Sequence, residues 1–182
     1  MADIRVRAAS PRDAERIAAV YAPHVEASYA SFEEVAPDAR EMAARMAAAP
    51  LLPWLVAEDA EERVLGFAYA AHHRVRRAYR WACDVSVYLD AGATGRGIGT
   101  ALYAELLPTV ERLGYVQCFA GIALPNDASV ALHRAHGFAQ FGVYRDVGFK
   151  LGAWRSVAWF QRTLADPPSD PAEPKGWAPD GG

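Results

Sequence analysis

The chain has 182 residues, 52% of them hydrophobic and 23% charged, with 19 basic against 22 acidic side chains and a formal charge of −3. That length holds one domain with a real core, and five Trp and eight Tyr are wrong for a disordered chain. The balanced charge offers no field to a polyanion, so nucleic acid is not an expected partner. No apolar run approaches the ~18 residues of a membrane helix, so a cytoplasmic protein without membrane contact is expected.

Ile4 to Val6 is a short apolar alternation. Ser10-Pro11-Arg12-Asp13 then sets an N-cap serine, a proline at the first helical position and an early carboxylate. The helix this opens carries Ala14, Ile17, Ala18 and Tyr21 at helical spacing, and Pro23 is expected to end it. A second helix follows Pro37-Asp38. Strands are expected at Trp54 to Ala57, Val64 to Ala71 and Trp81 to Leu89, forming an antiparallel meander. Leu89 runs into a loop with four glycines between Gly92 and Gly99, after which Ile98, Leu102, Leu106, Val110 and Leu113 recur at helical spacing. Pro108 inside that helix predicts a kink or a local break. Val116 to Ile122 reads as a strand, Asn126 to His136 as a short helix ended by Gly137, and Phe138 to Lys150 with Trp154 to Leu164 as a closing strand pair. The order β-α-α-β-β-β-α-β-α-β-β is an α+β fold in one domain, residues 1–165. Residues 166–182, with five prolines and three glycines, have almost nothing apolar to bury and read as a tail.

Chemistry concentrates in four places. A glycine-rich loop opening a helix presents free N–H groups and a positive dipole end to an anion, although it matches neither the dinucleotide nor the P-loop spacing. Asp84 lies in a strand, where aspartate is a poor former. Alternation puts it on one face with Ser86 and Tyr88, so it reads either as a carboxylate facing a cleft or as a structural partner of an arginine. Arg74, Arg76, Arg77 and Arg80 crowd one loop beside Tyr79, as a clamp for an acidic group or as a solvated basic loop, the latter preferred for Arg74 and Arg76. His133 sits on the short helix, where an isolated histidine packs or caps. His24, His72 and His73 share no metal-ligand spacing with Cys83, Cys118 or a carboxylate cluster, so no metal is implied. Both cysteines read as buried thiols.

Thr94-Gly95-Arg96-Gly97-Ile98-Gly99 resembles the pyrophosphate loop of the GCN5-related N-acetyltransferases, with Thr94 where Gln or Arg is usual. Asn126-Asp127-Ala128-Ser129, continuing through Leu132 and His133 to Gly137-Phe138, is similar to the second coenzyme segment of that superfamily. Pro53-Trp54-Leu55-Val56-Ala57-Glu58, Gly66-Phe67-Ala68-Tyr69-Ala70, Ser86-Val87-Tyr88, Leu124-Pro125-Asn126-Asp127 and Gly148-Phe149-Lys150-Leu151-Gly152-Ala153-Trp154 resemble its phosphinothricin and methionine sulfone branch. The resemblance implies a central mixed, mostly antiparallel sheet flanked by helices, and acetyl transfer from acetyl-CoA to a small acidic amine, in a homodimer. It implies Asp84 as the base through water, in place of a glutamate, and His133 as the acid that returns a proton to sulfur. The coenzyme falls to Val87, Tyr88, Leu89, Gly95, Arg96, Gly97, Gly99, Thr100, Asn126 and Ser129, and the acceptor to Phe32, Arg77, Tyr79 and Arg80. Acetylation of another small amine remains open. So does a coenzyme-binding sensor without catalysis, on the strength of Thr94, Asp84 and Ser156.

Overall fold

The computed structural model describes residues 4–48 and 52–178. Seven strands and four helices follow the expected order: β1 (Arg5–Ala8), α1 (Ala14–Glu26), α2 (Ala39–Met46), β2 (Trp54–Glu58), β3 (Val64–His72), β4 (Ala82–Leu89), α3 (Ile98–Arg112), β5 (Gln117–Ala123), α4 (Asp127–Ala135), β6 (Ala139–Lys150) and β7 (Ala153–Thr163). They form one sheet in the order β1-β2-β3-β4-β5-β7-β6. Only the pair β4 and β5 is parallel, because α3 carries the chain across between them.

Strand alternation divides the core. Leu55, Ala57, Leu65, Ala68, Cys83, Val85, Cys118, Ala120 and Phe160 point to the face covered by Leu102, Tyr103, Leu106 and Val110 of α3. Trp54, Val56, Val64 and Phe67 point to the other face, under Ile17, Val20, Tyr21 and Val25 of α1 and Met42 of α2. Burying both faces is what makes the β2 and β3 segments read as continuous apolar runs. At the head of α1, Asp13 is gripped by Arg7 through two 2.8 Å bonds and accepts from the Ser10 N–H and hydroxyl. This network holds the Asp13 carboxyl at about 2 against the cost of its burial.

Three expectations change. Pro23 does not end α1, which runs to Glu26 and is closed by the Ala27 N–H donating to the Pro23 carbonyl. A proline costs one backbone donor there, and the packed face of α1, extending to buried Val25, outweighs it. Pro108 does not break α3, which is continuous from Ile98 to Arg112 with Leu106, Leu107 and Val110 buried around it. The tail is not free: the Trp81 indole donates to the Ala172 carbonyl, the Lys175 N–H to the Leu113 carbonyl, and Trp177 packs on the α3-side core. Isolated contacts of this kind leave no periodic signature in a sequence.

Candidate active site

The parallel ladder between β4 and β5 is short. It pairs Ala82 with Gln117, Cys83 with Cys118 and Asp84 with Phe119, and then stops. Beyond that point β4 stays bonded to β3 as far as Leu89, and β5 to β7 as far as Ala123. The facing edges of residues 85–89 and 120–123 therefore part in a wedge, and their backbone groups on that side have no strand partner. A cavity of 380 Å³ fills the wedge, walled by Val85 to Leu89, by Gly121, Ile122 and Ala123, and by α4 through Asn126, Ser129, Leu132 and His133.

The glycine loop closes the wide end of the wedge. Gly95 and Gly97 adopt φ of 75° and 78°, the left-handed region that only glycine enters freely, and a Cβ at either would meet no atom within 4 Å. Space is thus open in front of a loop whose last member, Gly97, is the N-cap of the 15-residue α3. Gly99 serves packing instead, since a Cβ there would lie 2.9 Å from Leu132 of α4. Gly95, Gly97, Gly99 and Thr100 line the cavity together with Thr94, whereas the Arg96 side chain is exposed and does not. Asn126 uses its side-chain oxygen to cap α4, accepting from the Ser129 N–H at 3.1 Å. His24 of α1, not singled out by any motif, reaches the same cavity and donates from Nε2 to the Leu89 carbonyl at 2.8 Å.

Asp84 stands at the apex, the last paired residue before the strands part. Its neighbours Cys83 and Val85 enter the α3-side core, which turns Asp84, Ser86 and Tyr88 to the α1 side. Its partner is not an arginine but His73, with Nδ1 to Oδ1 at 2.6 Å. Burial raises the Asp84 carboxyl above the ordinary range, opposed by His73 and by the charge of Arg74. The His73 ring stacks on Phe119 at 4.1 Å and meets Tyr79 and Trp159 edge-on. Counting back along the β3–β4 hairpin could have found it: Ala71 pairs with Asp84 and His72 with Cys83, so the next residue folds over the carboxylate.

His133 is buried between α4 and Tyr103 of α3. The ring is 3% exposed. Nδ1 lies 2.7 Å from the Ser129 carbonyl, which only accepts, so this nitrogen carries the proton, and Nε2 lies 2.9 Å from the Tyr103 hydroxyl. Burial lowers its pKa, and among the described residues no carboxylate is bonded to it to hold an imidazolium. Both nitrogens are thus committed inside a neutral ring that walls the cavity, and no motif marks Tyr103 as its partner.

The arginine loop divides. Arg77 and Arg80 bind the tail, at 3.0 and 2.8 Å from the two oxygens of Glu173, and the Arg80 guanidinium stacks 3.6 Å from the Trp81 ring. Arg74 is exposed, as the solvated reading expects, lies 5.8 Å from the centre of the Trp159 ring, and its charge favours the ionised Asp84 carboxyl. A groove of 740 Å³ runs along the loop, lined from His72 to Arg77 and by Arg80. Phe32 lies over Gly148 of β6, where a Cβ would fall 2.3 Å from its ring. The loop carrying Phe32 is tied to β6 by Lys150, whose ammonium donates to the Ser31 and Glu33 carbonyls. Among the described residues, no group of three or more His, Cys, Asp or Glu side chains is placed to hold a metal.

A wedge opening between two parallel strands, capped by a glycine loop at a helix N-terminus, is the layout of an acyl-coenzyme-binding α+β fold. A model of the acetyltransferase (GNAT) domain matches residues 6–159, and the chain belongs to that family. It is 44% identical to a phosphinothricin N-acetyltransferase of Alcaligenes faecalis over 162 residues, covering 87% of this chain and 82% of that one. It is 35% identical to an L-methionine sulfoximine/L-methionine sulfone acetyltransferase of Pseudomonas aeruginosa over 112 residues, 62% of this chain and 65% of the other. Among solved structures it resembles a GNAT superfamily phosphinothricin acetyltransferase from Sinorhizobium meliloti in complex with acetyl-CoA, with a TM-score of 0.89, 38% identity, and coverage of 93% and 94% of the two chains.

Proposed function

We propose that the protein transfers an acetyl group from acetyl-CoA to the primary amine of a small acidic, amino-acid-like acceptor of the phosphinothricin, methionine sulfone or methionine sulfoximine type. The observation that carries this is the wedge beyond Asp84 and Phe119, where two strand edges lie unpaired beneath a left-handed glycine loop. The residues fit the coenzyme. The N–H groups of residues 95–100 would hold its pyrophosphate, and the free edge of Val87, Tyr88 and Leu89 would pair with its amide-bearing arm as an added strand. Asn126 and Ser129 flank the arm from α4. When bound, the coenzyme supplies an activated thioester at the apex of the wedge.

The chain's own residues supply the rest. An amine arrives as ammonium and must lose a proton before its lone pair can attack the thioester carbon. The carboxylate at the apex, Asp84, receives that proton directly or through water, and an unpaired N–H on the open edge of β4 steadies the developing oxyanion. His133, neutral and hydrogen-bonded at both ring nitrogens, holds the α4 wall of the cavity. Arg74, the cation that acts on Asp84, is the group we assign to the acceptor's acid, with Phe32 and Tyr79 as apolar walls. A similar acceptor role for Arg77 and Arg80 requires release of Glu173.

An acetyl-CoA-consuming enzyme belongs where its coenzyme is, in the cytoplasm. A homodimer is supported by the edge strand β6, which exposes the apolar side chains Phe141, Tyr144, Val147 and Phe149, with Trp154 exposed on β7.

The test is thiol release from acetyl-CoA with phosphinothricin, methionine sulfone, methionine sulfoximine and ordinary amino acids, with the N-acetyl product identified by mass. Turnover of one acidic acceptor with Arg74→Ala raising its KM, while that for acetyl-CoA holds, supports the assignment. Binding of coenzyme with no thiol released by any amine makes the protein a sensor and removes the proposal.

A further inference from the structure

Asp84 has one neighbour that the acetyl-transfer reading leaves unused, the His73 imidazole on its Oδ1, whose residue also lines the arginine groove. The Nδ1 of His73 is spent on Asp84 at 2.6 Å, and the groove runs along the 72–80 loop. The ring is held on three sides, stacked on Phe119 of β5, edge-on to Tyr79 of the loop and edge-on to Trp159 of β7. Only 11% of the side chain is exposed, so its orientation is fixed by packing. A carboxylate bonded to Nδ1 fixes the tautomer with the lone pair on Nε2 and stabilises the imidazolium that forms when Nε2 takes a proton.

We propose that His73 is the proton acceptor of the reaction and Asp84 the carboxylate that orients and stabilises it. The inference rests on the acetyl-transfer reading above and replaces Asp84 as the atom that receives the proton. The ammonium of the acceptor gives one proton to Nε2 of neutral His73. The freed lone pair forms the N–C bond, the C–S bond breaks as sulfur leaves with its electron pair, and the second proton of the amine nitrogen passes to that sulfur, giving amide and thiol. The imidazolium then passes its proton to water along the groove.

Two physical arguments favour the pair over the lone carboxylate. Imidazoles as a class are better matched to proton transfer at neutral pH than carboxylates, which hold a proton from an amine only weakly. Asp84 is also one methylene shorter than the glutamate that the resemblance places here, and the imidazole extends its reach by the width of a ring. The charged and titratable groups facing the pair are Arg74 and Tyr79 from the loop and Tyr69 from β3. Of these only Arg74 is charged at neutral pH, and it favours the Asp84 carboxylate.

The experiment compares His73→Gln, His73→Phe and Asp84→Asn with the wild type, in full-length protein, by kcat, KM and the pH profile of kcat/KM, with calorimetric acetyl-CoA binding as the folding control. A glutamine can still donate to Asp84 but cannot take a proton, so it separates orientation from proton transfer. The proposal expects His73→Gln and His73→Phe to lose kcat alike, by ~10²-fold or more, and to lose the acidic limb of the profile, with coenzyme affinity intact. Double substitution with Asp84→Asn then costs little more than either alone. If His73→Gln keeps wild-type kcat and its acidic limb while Asp84→Asn does not, the proton goes to Asp84, this proposal is overturned and the acetyl-transfer reading stands. If the wild type itself releases no thiol with any amine, the reading beneath it has failed instead.

Discussion

The glycine loop makes a sharp demand at Gly97. Its φ of 78° and ψ of 5° lie in the left-handed region, and it is the N-cap of α3. An alanine there gains no contact and makes no clash, because its Cβ would find nothing within 4 Å. The whole effect is backbone strain, ~1–2 kcal/mol for an L-residue held left-handed. The loop can relieve that strain by turning its N–H groups away, but only by giving up the cradle. Gly97→Ala is therefore expected to weaken coenzyme A roughly 5- to 30-fold, the affinity equivalent of that strain. Gly97→Asp, which also sets a negative charge before the pyrophosphate, weakens it further, and the KM of the acceptor holds in both. Gly92→Ala is the control from the same loop, since its Cβ would meet only Asp90 Oδ1 at 3.8 Å and its backbone is not left-handed. Titration calorimetry with coenzyme A on folded proteins reads the result. Wild-type affinity in Gly97→Asp would refute the cradle, and equal losses in Gly92→Ala and Gly97→Ala would refute the argument from strain.

Three further outcomes are expected. Burial lowers the His133 pKa, so the unfolded chain binds a proton that the folded ring refuses. Stability from this site is complete above about pH 6.5 and is lost as pH falls through the lowered folded value, and His133→Phe should flatten melting temperature against pH there, leaving the part due to His136; unchanged slopes would remove the buried neutral ring. Truncation after Ala165 should lower the melting temperature by uncovering Trp81 and losing Trp177, whereas Glu173→Gln alone should leave it nearly unchanged, as thermal denaturation would show. Phe149→Lys with Trp154→Lys, at positions 60% and 62% exposed, should leave the fold intact and convert a dimer to a monomer in sedimentation; a dimer that persists moves the interface off β6.

Much of this protein was legible in residue order alone. Ser10-Pro11 and Asp38 mark helix starts because caps act on the adjacent N–H groups, and β4, the glycine loop and α3 are contiguous in the chain. The same locality exposed Gly95 and Gly97, whose backbone demand belongs to a single residue, and Asp84, whose presence in a strand needed a reason. What the sequence could not decide was which side chains meet. Tyr103 is 30 residues from His133, and Glu173 is 96 residues from Arg77, yet these contacts set the hydrogen bonding of the His133 ring and tie Arg77 to the tail. His73 and Asp84 are only 11 residues apart, but their 2.6 Å bond depends on the register of a hairpin, in which a slip of one residue would send the pair to opposite faces of the sheet. Residue identity determined the elements and the coenzyme loop, whose causes are local. Long-range packing decided the protonation, partners and exposure of the groups around the reacting centre, because each is set by whatever distant chain the fold brings against it.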